Sequence, residues 1–315
     1  MNKEKLISTT FILIIVLAWI YYAFANFSDI AEQLSSLEHS YFLLAQLILL
    51  LLYFILVFNW QQGLSLLGVK TGFSSVARIW LLSNLAKYIP GAIWTPIGRG
   101  FYAWKQKIPI SKVYLSWGLE IYLILLSATT VVLLSLLAFP LPAFREEFFI
   151  PFILFFLCLI SPLLLGKKAL NFFFGIIFFF GFMKKYEEKA KSFRESIVKI
   201  NLVQVFPIFL SYFLMWMIYG LWLMVLIVSI TGSKPDLFFS AFAWSLSWTL
   251  GYIVIFVPGG IGIREGALTL LLNSQGVPLA SAALIALMTR FQHVVYDMLL
   301  VVPFSFVKKP EKDNN

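Results

Sequence analysis

Residues 256–266 read Phe256-Val257-Pro258-Gly259-Gly260-Ile261-Gly262-Ile263-Arg264-Glu265-Gly266, and the stretch closes at Gly276-Val277-Pro278. A Pro-Gly-Gly break inside apolar sequence interrupts a helix, because proline removes a donor and glycine permits left-handed dihedrals. Similar punctuation occurs earlier as Tyr88-Ile89-Pro90-Gly91, Gly98-Arg99-Gly100 and Ile108-Pro109. Pro90 lies 19 residues ahead of Pro109, and Pro258 lies 20 ahead of Pro278. Past the second proline each half enters a long apolar segment with a charge at a matched offset. Glu120 comes 11 residues on and Arg290 comes 12 residues on. Paired interruptions at corresponding places in two halves point to a transporter's central site.

Composition sets the solvent. The chain is 61% hydrophobic and 12% charged, where soluble domains carry roughly 25% charged residues. Several apolar runs reach the ~20 residues that cross a bilayer. The fold class expected is therefore all-α and polytopic. The net charge of +9 sits mostly in loops flanking apolar segments, which encodes orientation rather than a nucleic-acid partner. The single cysteine, Cys158, excludes an intrachain disulfide and a thiolate metal cluster. The N-terminal apolar stretch 6–25 continues through Trp19, Tyr21 and Tyr22, so it is expected to stay as a first span rather than leave as a signal peptide.

Loop charges predict the topology. Segments 6–25, 41–67, 113–139, 149–165, 203–230 and 279–307 are expected to cross. The loop 27–40 is acidic, whereas 68–112 carries Lys70, Arg78, Lys87, Arg99, Lys105, Lys107 and Lys112 with no acid. The first reads as external and the second as cytoplasmic. Placing the tail lysines Lys308, Lys309 and Lys312 in the cytoplasm requires 237–257 to dip in, break at Pro258 and return. The expectation is six full spans plus two re-entrant helical hairpins of opposite orientation, in one membrane domain. The inverted repeats would cover 6–139 and 149–307, joined by a cytoplasmic amphipathic linker over 167–200, with both termini cytoplasmic.

Non-helical backbone at membrane depth survives only where protein or water satisfies it, so broken hairpins imply a cavity. At Pro90-Gly91 and Pro258-Gly259-Gly260 the returning half-helix would start with free N–H groups, which favour anions. Arg99 and Arg264 would add forked donors suited to phosphate. Glu265 neighbours Arg264, and Asn84 and Lys87 could reach the same space. Glu120 and Arg290 fall near the bilayer centre, where an ionised side chain costs at least ~2.5–3.5 kcal/mol unless paired or hydrated. They are expected either to meet as a structural ion pair or to line a path. Arg290, His293 and Asp297 share a helical face, and His293 or Asp297 could gate the path or couple it to protons. An ordinary packing role for His293 is the blander alternative. No Walker or Rossmann glycine pattern, and no metal-ligand spacing, is present, so no cofactor and no metal are expected.

On Asn84, Ile89-Pro90-Gly91, Gly98-Arg99 and Glu120, then on 257–266, Gly276-Val277-Pro278 and Arg290, the chain resembles the lysylphosphatidylglycerol synthase transmembrane-region family. These flippase-like membrane domains occur alone or fused to an aminoacyl-phospholipid synthase. The resemblance implies movement of a phosphate-containing lipid between leaflets of the cell membrane. The cargo would be an aminoacylated or anionic phospholipid, or a polyprenyl-phosphate-linked sugar. It also implies a separate lipid synthase or glycosyltransferase to make that cargo. Two alternatives stand beside a non-enzymatic transporter: an integral-membrane transferase acting on a lipid phosphate, with Glu120 or Asp297 as base, and a non-catalytic partner of a lipid-modifying enzyme.

Overall fold

The computed structural model describes residues 35, 37–88, 94–138, 150–160, 202–254 and 258–305. The expected first span 6–25, the tip residues Pro90 and Gly91, and the linker 167–200 lie outside the described residues. The elements are α1 (His39–Leu66), α2 (Phe73–Asn84) with a 3-10 turn Leu85–Tyr88, α3 (Trp94–Lys105) and α4 (Ile110–Ala138). There follow α5 (Ile150–Ile160), α6 (Leu202–Thr231), α7 (Leu237–Ile253), a 3-10 turn Pro258–Gly260, α8 (Ile263–Ser274) and α9 (Leu279–Ser305). Among the described residues every regular element is helical.

Among the described residues four helices, α1, α4, α6 and α9, are long and apolar enough to cross a membrane. At 1.5 Å per residue, ~20 residues suffice, and these helices hold 27 to 30. The 12-residue helices α2, α3 and α8 rise only ~18 Å each. None of the three can cross alone. The 17-residue α7 reaches ~26 Å, short of a ~30 Å core. Each short helix packs on its sequence neighbour across the break, α2 on α3 and α7 on α8. A Cβ added at Gly98 would sit 3.3 Å from Ser83 Cα, and one at Gly251 would sit 3.1 Å from Arg264 Cβ. Both distances are tighter than ordinary Cβ contacts, so glycine favours the close approach of the limbs.

The two halves stop their returning helices in the same way. At the end of α3 the Ile108 N–H donates to Ala103 O and the Lys107 N–H to Trp104 O, both at 3.0 Å. At the end of α8 the Val277 N–H donates to Leu272 O at 3.3 Å and the Gly276 N–H to Asn273 O at 3.0 Å. Both are Schellman stops, with a left-handed residue at Lys107 (φ 59°) or Gly276 (φ 84°). Pro109 and Pro278 follow at once, and α4 and α9 begin directly after them. The paired spacing in the sequence thus reflects a repeated local structure.

The core is built around α6. Its Tyr212, Trp216 and Trp222 are fully buried, and it packs against α1, α4, α7 and α9. The α6–α7 crossing is especially close, since a Cβ at Gly220 would lie 2.6 Å from Ala241 Cβ. Asp236 caps α7, its carboxylate accepting from the Phe238 and Phe239 N–H groups at 2.7 and 3.0 Å. Helix α9 touches both short pairs, packing on α2 and α8.

Candidate functional site

A cavity of about 460 Å³ opens where the two short-helix pairs meet, walled also by α1, α4, α6 and α9. Its second-half edge is the turn at Gly259 and Gly260, both left-handed at φ 61° and 66°. Both dihedrals favour glycine, and at Gly260 the backbone of Gly251 leaves no room for a side chain either. A Cβ at Gly260 would sit 2.7 Å from Gly251 O, and one at Gly259 would lie 2.8 Å from Arg290 Nη2 and 3.8 Å from Lys87 O. The last contact brings the first pair's tip to the second pair's tip.

Arg99, Arg264, Glu120, Arg290, Asn84, Lys87, His293, Gly259 and Gly260 all line this cavity, although they come from sequence positions up to 209 residues apart. Their partners differ from the simplest expectation. Glu120 does not meet Arg290. Instead α3 packs on α4 and delivers Arg99, 3% exposed, to Glu120, 5% exposed. The guanidinium forks onto the carboxylate through Nη1 and through Nη2, the latter at 3.3 Å to Oε1. The Trp80 indole N–H donates to the same carboxylate at 2.9 Å. The Trp60 and Trp80 rings flank the guanidinium, 4.7 and 5.7 Å from its carbon. Trp60 is held in turn by its N–H to Ser116 Oγ at 3.1 Å. Both charges are matched and stacked, so Arg99 is a locked wall residue.

Asp297 is a fastener rather than an open proton group. Its carboxylate, 1% exposed, takes Lys87 Nζ at 2.6 Å and accepts from Asn84 Nδ2 at 2.8 Å and Tyr88 OH at 2.5 Å. Tyr53 OH on α1 donates to it at 2.9 Å. Four donors from α1 and the first tip therefore converge on one residue of α9.

Arg290, two helical turns before Asp297, holds the other tip. Its Nη1 donates to Gly259 O at 3.0 Å, and its Nε lies 3.7 Å from Glu265 Oε1. Glu265 spends its other oxygen on its own helix, accepting from the Gly262 N–H at 2.6 Å. One of the N–H groups expected to be free for a ligand is thus satisfied internally. His293 is enclosed by rings: Trp244 and Tyr219 stack on it at 5.4 and 6.1 Å, and Trp222 meets it edge-on at 5.3 Å. Its Nδ1 pairs with Thr289 O at 2.7 Å. These contacts describe a packed, hydrogen-bonded histidine at the cavity wall.

Arg264 is the exception. It is half-buried, its guanidinium carbon lies 4.1 Å from the Trp244 ring centroid, and no carboxylate pairs with it among the described residues. Among the described residues four cations line the cavity, and three carboxylates answer three of them. Arg290 Nη2 adds a buried donor without a partner.

The tryptophans are what sequence reasoning missed. A Phe- and Trp-rich membrane chain invites the view that its aromatics face lipid, yet Trp60, Trp80 and Trp244 hold the arginine planes. Two signals point to them: Trp80 lies one turn before Asn84, and Trp244 belongs to the limb that ends at the break. The hydroxyls of Ser245, Ser247 and Thr249 bond within their own helix and serve packing. Among the described residues no cluster of His, Cys, Asp and Glu could hold a metal ion.

The sequence model for the family described as "Lysylphosphatidylglycerol synthase TM region" matches residues 6–300. No curated protein and no solved structure gives a significant match. The match covers both broken pairs, the charges they bring to the cavity and nearly the whole chain, so this membrane protein belongs to the lysylphosphatidylglycerol synthase transmembrane-region family.

Proposed function

We propose that the chain is a lipid flippase or transporter that moves a phosphate-containing lipid between the leaflets of the cell membrane. The observation that carries this reading is Arg264, a cation with no counter-charge among the described residues, at the junction of two broken helix pairs. An unpaired arginine within the bilayer costs ~2.5–3.5 kcal/mol or more, and a site that retains one is poised to receive an anion. The guanidinium fork suits phosphate geometry, and the short limbs are the interrupted helices around which transporter sites are built. In this reading the head group enters beside Arg264 while the acyl or prenyl tails stay in lipid. The fold is an inverted repeat of six spans and two re-entrant hairpins, with both termini cytoplasmic. Arg290 and Asp297 hold the two tips to α9, so a shift of α9 exposes the cavity to one leaflet and then the other. No covalent step is involved, and a separate synthase or glycosyltransferase makes the cargo.

The test is transport of fluorescent anionic phospholipids and polyprenyl-phosphate sugars in proteoliposomes of the full chain. Wild type should move at least one of them, and Arg264→Ala should slow that movement by at least ten-fold. Equal rates for wild type and Arg264→Ala on every lipid would refute the proposal. Turnover of a labelled lipid in detergent, with no bilayer present, would instead favour a transferase.

A further inference from the structure

Resting on that reading, the cavity's charge balance and its aromatic wall narrow the head group. Lys87, Arg99, Arg264 and Arg290 contribute to the lining. Among the described residues one carboxylate shares the lining with them, Glu120, and Arg99 and Trp80 occupy it. Behind the wall Asp297 takes four donors, while Glu265 accepts the Gly262 N–H at one oxygen and faces Arg290 Nε at 3.7 Å with the other. Among the described residues no carboxylate of the lining remains to receive an ammonium. A cationic head group would enter a space where like charge already prevails, and like charges placed together are unfavourable.

The rest of the wall is aromatic with unused donors. Trp117, Trp248 and Tyr252 line the cavity, and the Trp248 and Tyr252 rings stack at 5.0 Å with 10° between their planes. Trp216 meets Trp248 edge-on at 5.3 Å and has already given its N–H to Ser127 Oγ. Trp117, Trp248 and Tyr252 make no hydrogen bond among the described residues, so two indole N–H groups and one hydroxyl are available. A ring face beside a polar donor suits a molecule with C–H surfaces and hydroxyl groups. The volume of about 460 Å³ falls within the ~300–1,000 Å³ of small-molecule sites.

We infer that the cavity selects a lipid whose phosphate is its only charged group and whose head group is otherwise an uncharged polyol, and that it discriminates against aminoacylated lipids. The phosphate lies at Arg264, and the polyol packs along Trp117, Trp248 and Tyr252. A glycerol head group and a phosphate-linked sugar share this chemistry.

Native mass spectrometry of the full chain tests this, with phosphatidylglycerol, its lysyl ester, a polyprenyl-phosphate hexose and phosphatidic acid in competition. One of the two polyol lipids should bind at least ten-fold more tightly than the lysyl ester. The winner distinguishes glycerol from sugar, and either supports the inference. Trp248→Ala, or Trp117→Ala if the first does not fold, should weaken that lipid several-fold more than phosphatidic acid. A lysyl ester that binds as tightly as the polyol lipids would overturn the inference. If Arg264→Ala still lowered all binding in that case, the phosphate site would survive. Binding of none of the four would overturn both.

Discussion

The buried pair Arg99–Glu120 lends itself to a quantitative test. Both side chains are at most 5% exposed, and Arg99 lies between two indole rings. Replacing Glu120 with Leu leaves a guanidinium that is 3% exposed with no counter-charge. Breaking one side of a buried pair costs about 3–5 kcal/mol. The Trp80 N–H also loses its acceptor, and an orphaned buried donor adds ~1–3 kcal/mol. Arg99→Leu should be damaging for the mirror-image reason. The double variant Arg99→Leu/Glu120→Leu removes both charges and closes the space with apolar atoms, which is often neutral. Unfolding free energies from SDS titration in mixed micelles would complete the double-mutant cycle. The expected outcome is that each single variant loses several kcal/mol and the double recovers most of it, with a coupling of at least about 2 kcal/mol. Additivity within about 0.5 kcal/mol would mean that the two groups do not depend on each other, and the wall would have to be rebuilt.

Other perturbations follow from the same geometry. Gly260→Ala combines φ 66° with a Cβ 2.7 Å from Gly251 O; strain of ~1–3 kcal/mol plus that clash should lower the melting temperature and abolish lipid movement. Gly266→Ala, with nothing within 4 Å of its added Cβ, should instead be neutral or gain up to ~0.5–1 kcal/mol in the same melt. Gly220→Ala forces α6 and α7 apart at Ala241 and should destabilise by ~1–3 kcal/mol in the SDS titration. Asp297→Ala releases Asn84, Lys87, Tyr88 and Tyr53 together, so amide exchange over 84–88 should accelerate more than elsewhere in the chain.

The breaks are legible in the sequence because proline and glycine act locally. Pro258-Gly259-Gly260 has the same backbone consequences whatever surrounds it, and matched spacing exposes the repeated stops at Lys107 and Gly276. Membrane character is legible for a similar reason, since hydropathy sums over a window. Partner choice is not local. Glu120 has arginines at 99, 264 and 290 to choose among, and only the packing of α3 on α4 selects Arg99. Nearly equal offsets from Pro109 and Pro278 favour Arg290 on paper, but an equivalent place in the other half does not mean a shared contact. The backbone N–H groups expected at the second tip are partly taken by Glu265, a capping role that Gly262-Ile263-Arg264-Glu265 foreshadows by its spacing. Hydropathy also treats a tryptophan facing lipid and one facing a guanidinium alike, which hides the roles of Trp60, Trp80 and Trp244.

The most direct test is to ask where a phosphate lipid's head group goes. Phosphatidylglycerol bearing a photoreactive group on its head would be reconstituted with the full chain, irradiated and mapped by peptide mass spectrometry. Labels should fall on the cavity wall, at Lys87, Trp117, Trp248, Tyr252 or Arg264, and should diminish in Arg264→Ala. Labels confined to the outward face of α1, at Leu43, Leu47 and Leu51, with no change on removing Arg264, would contradict a head-group site between the two broken helix pairs.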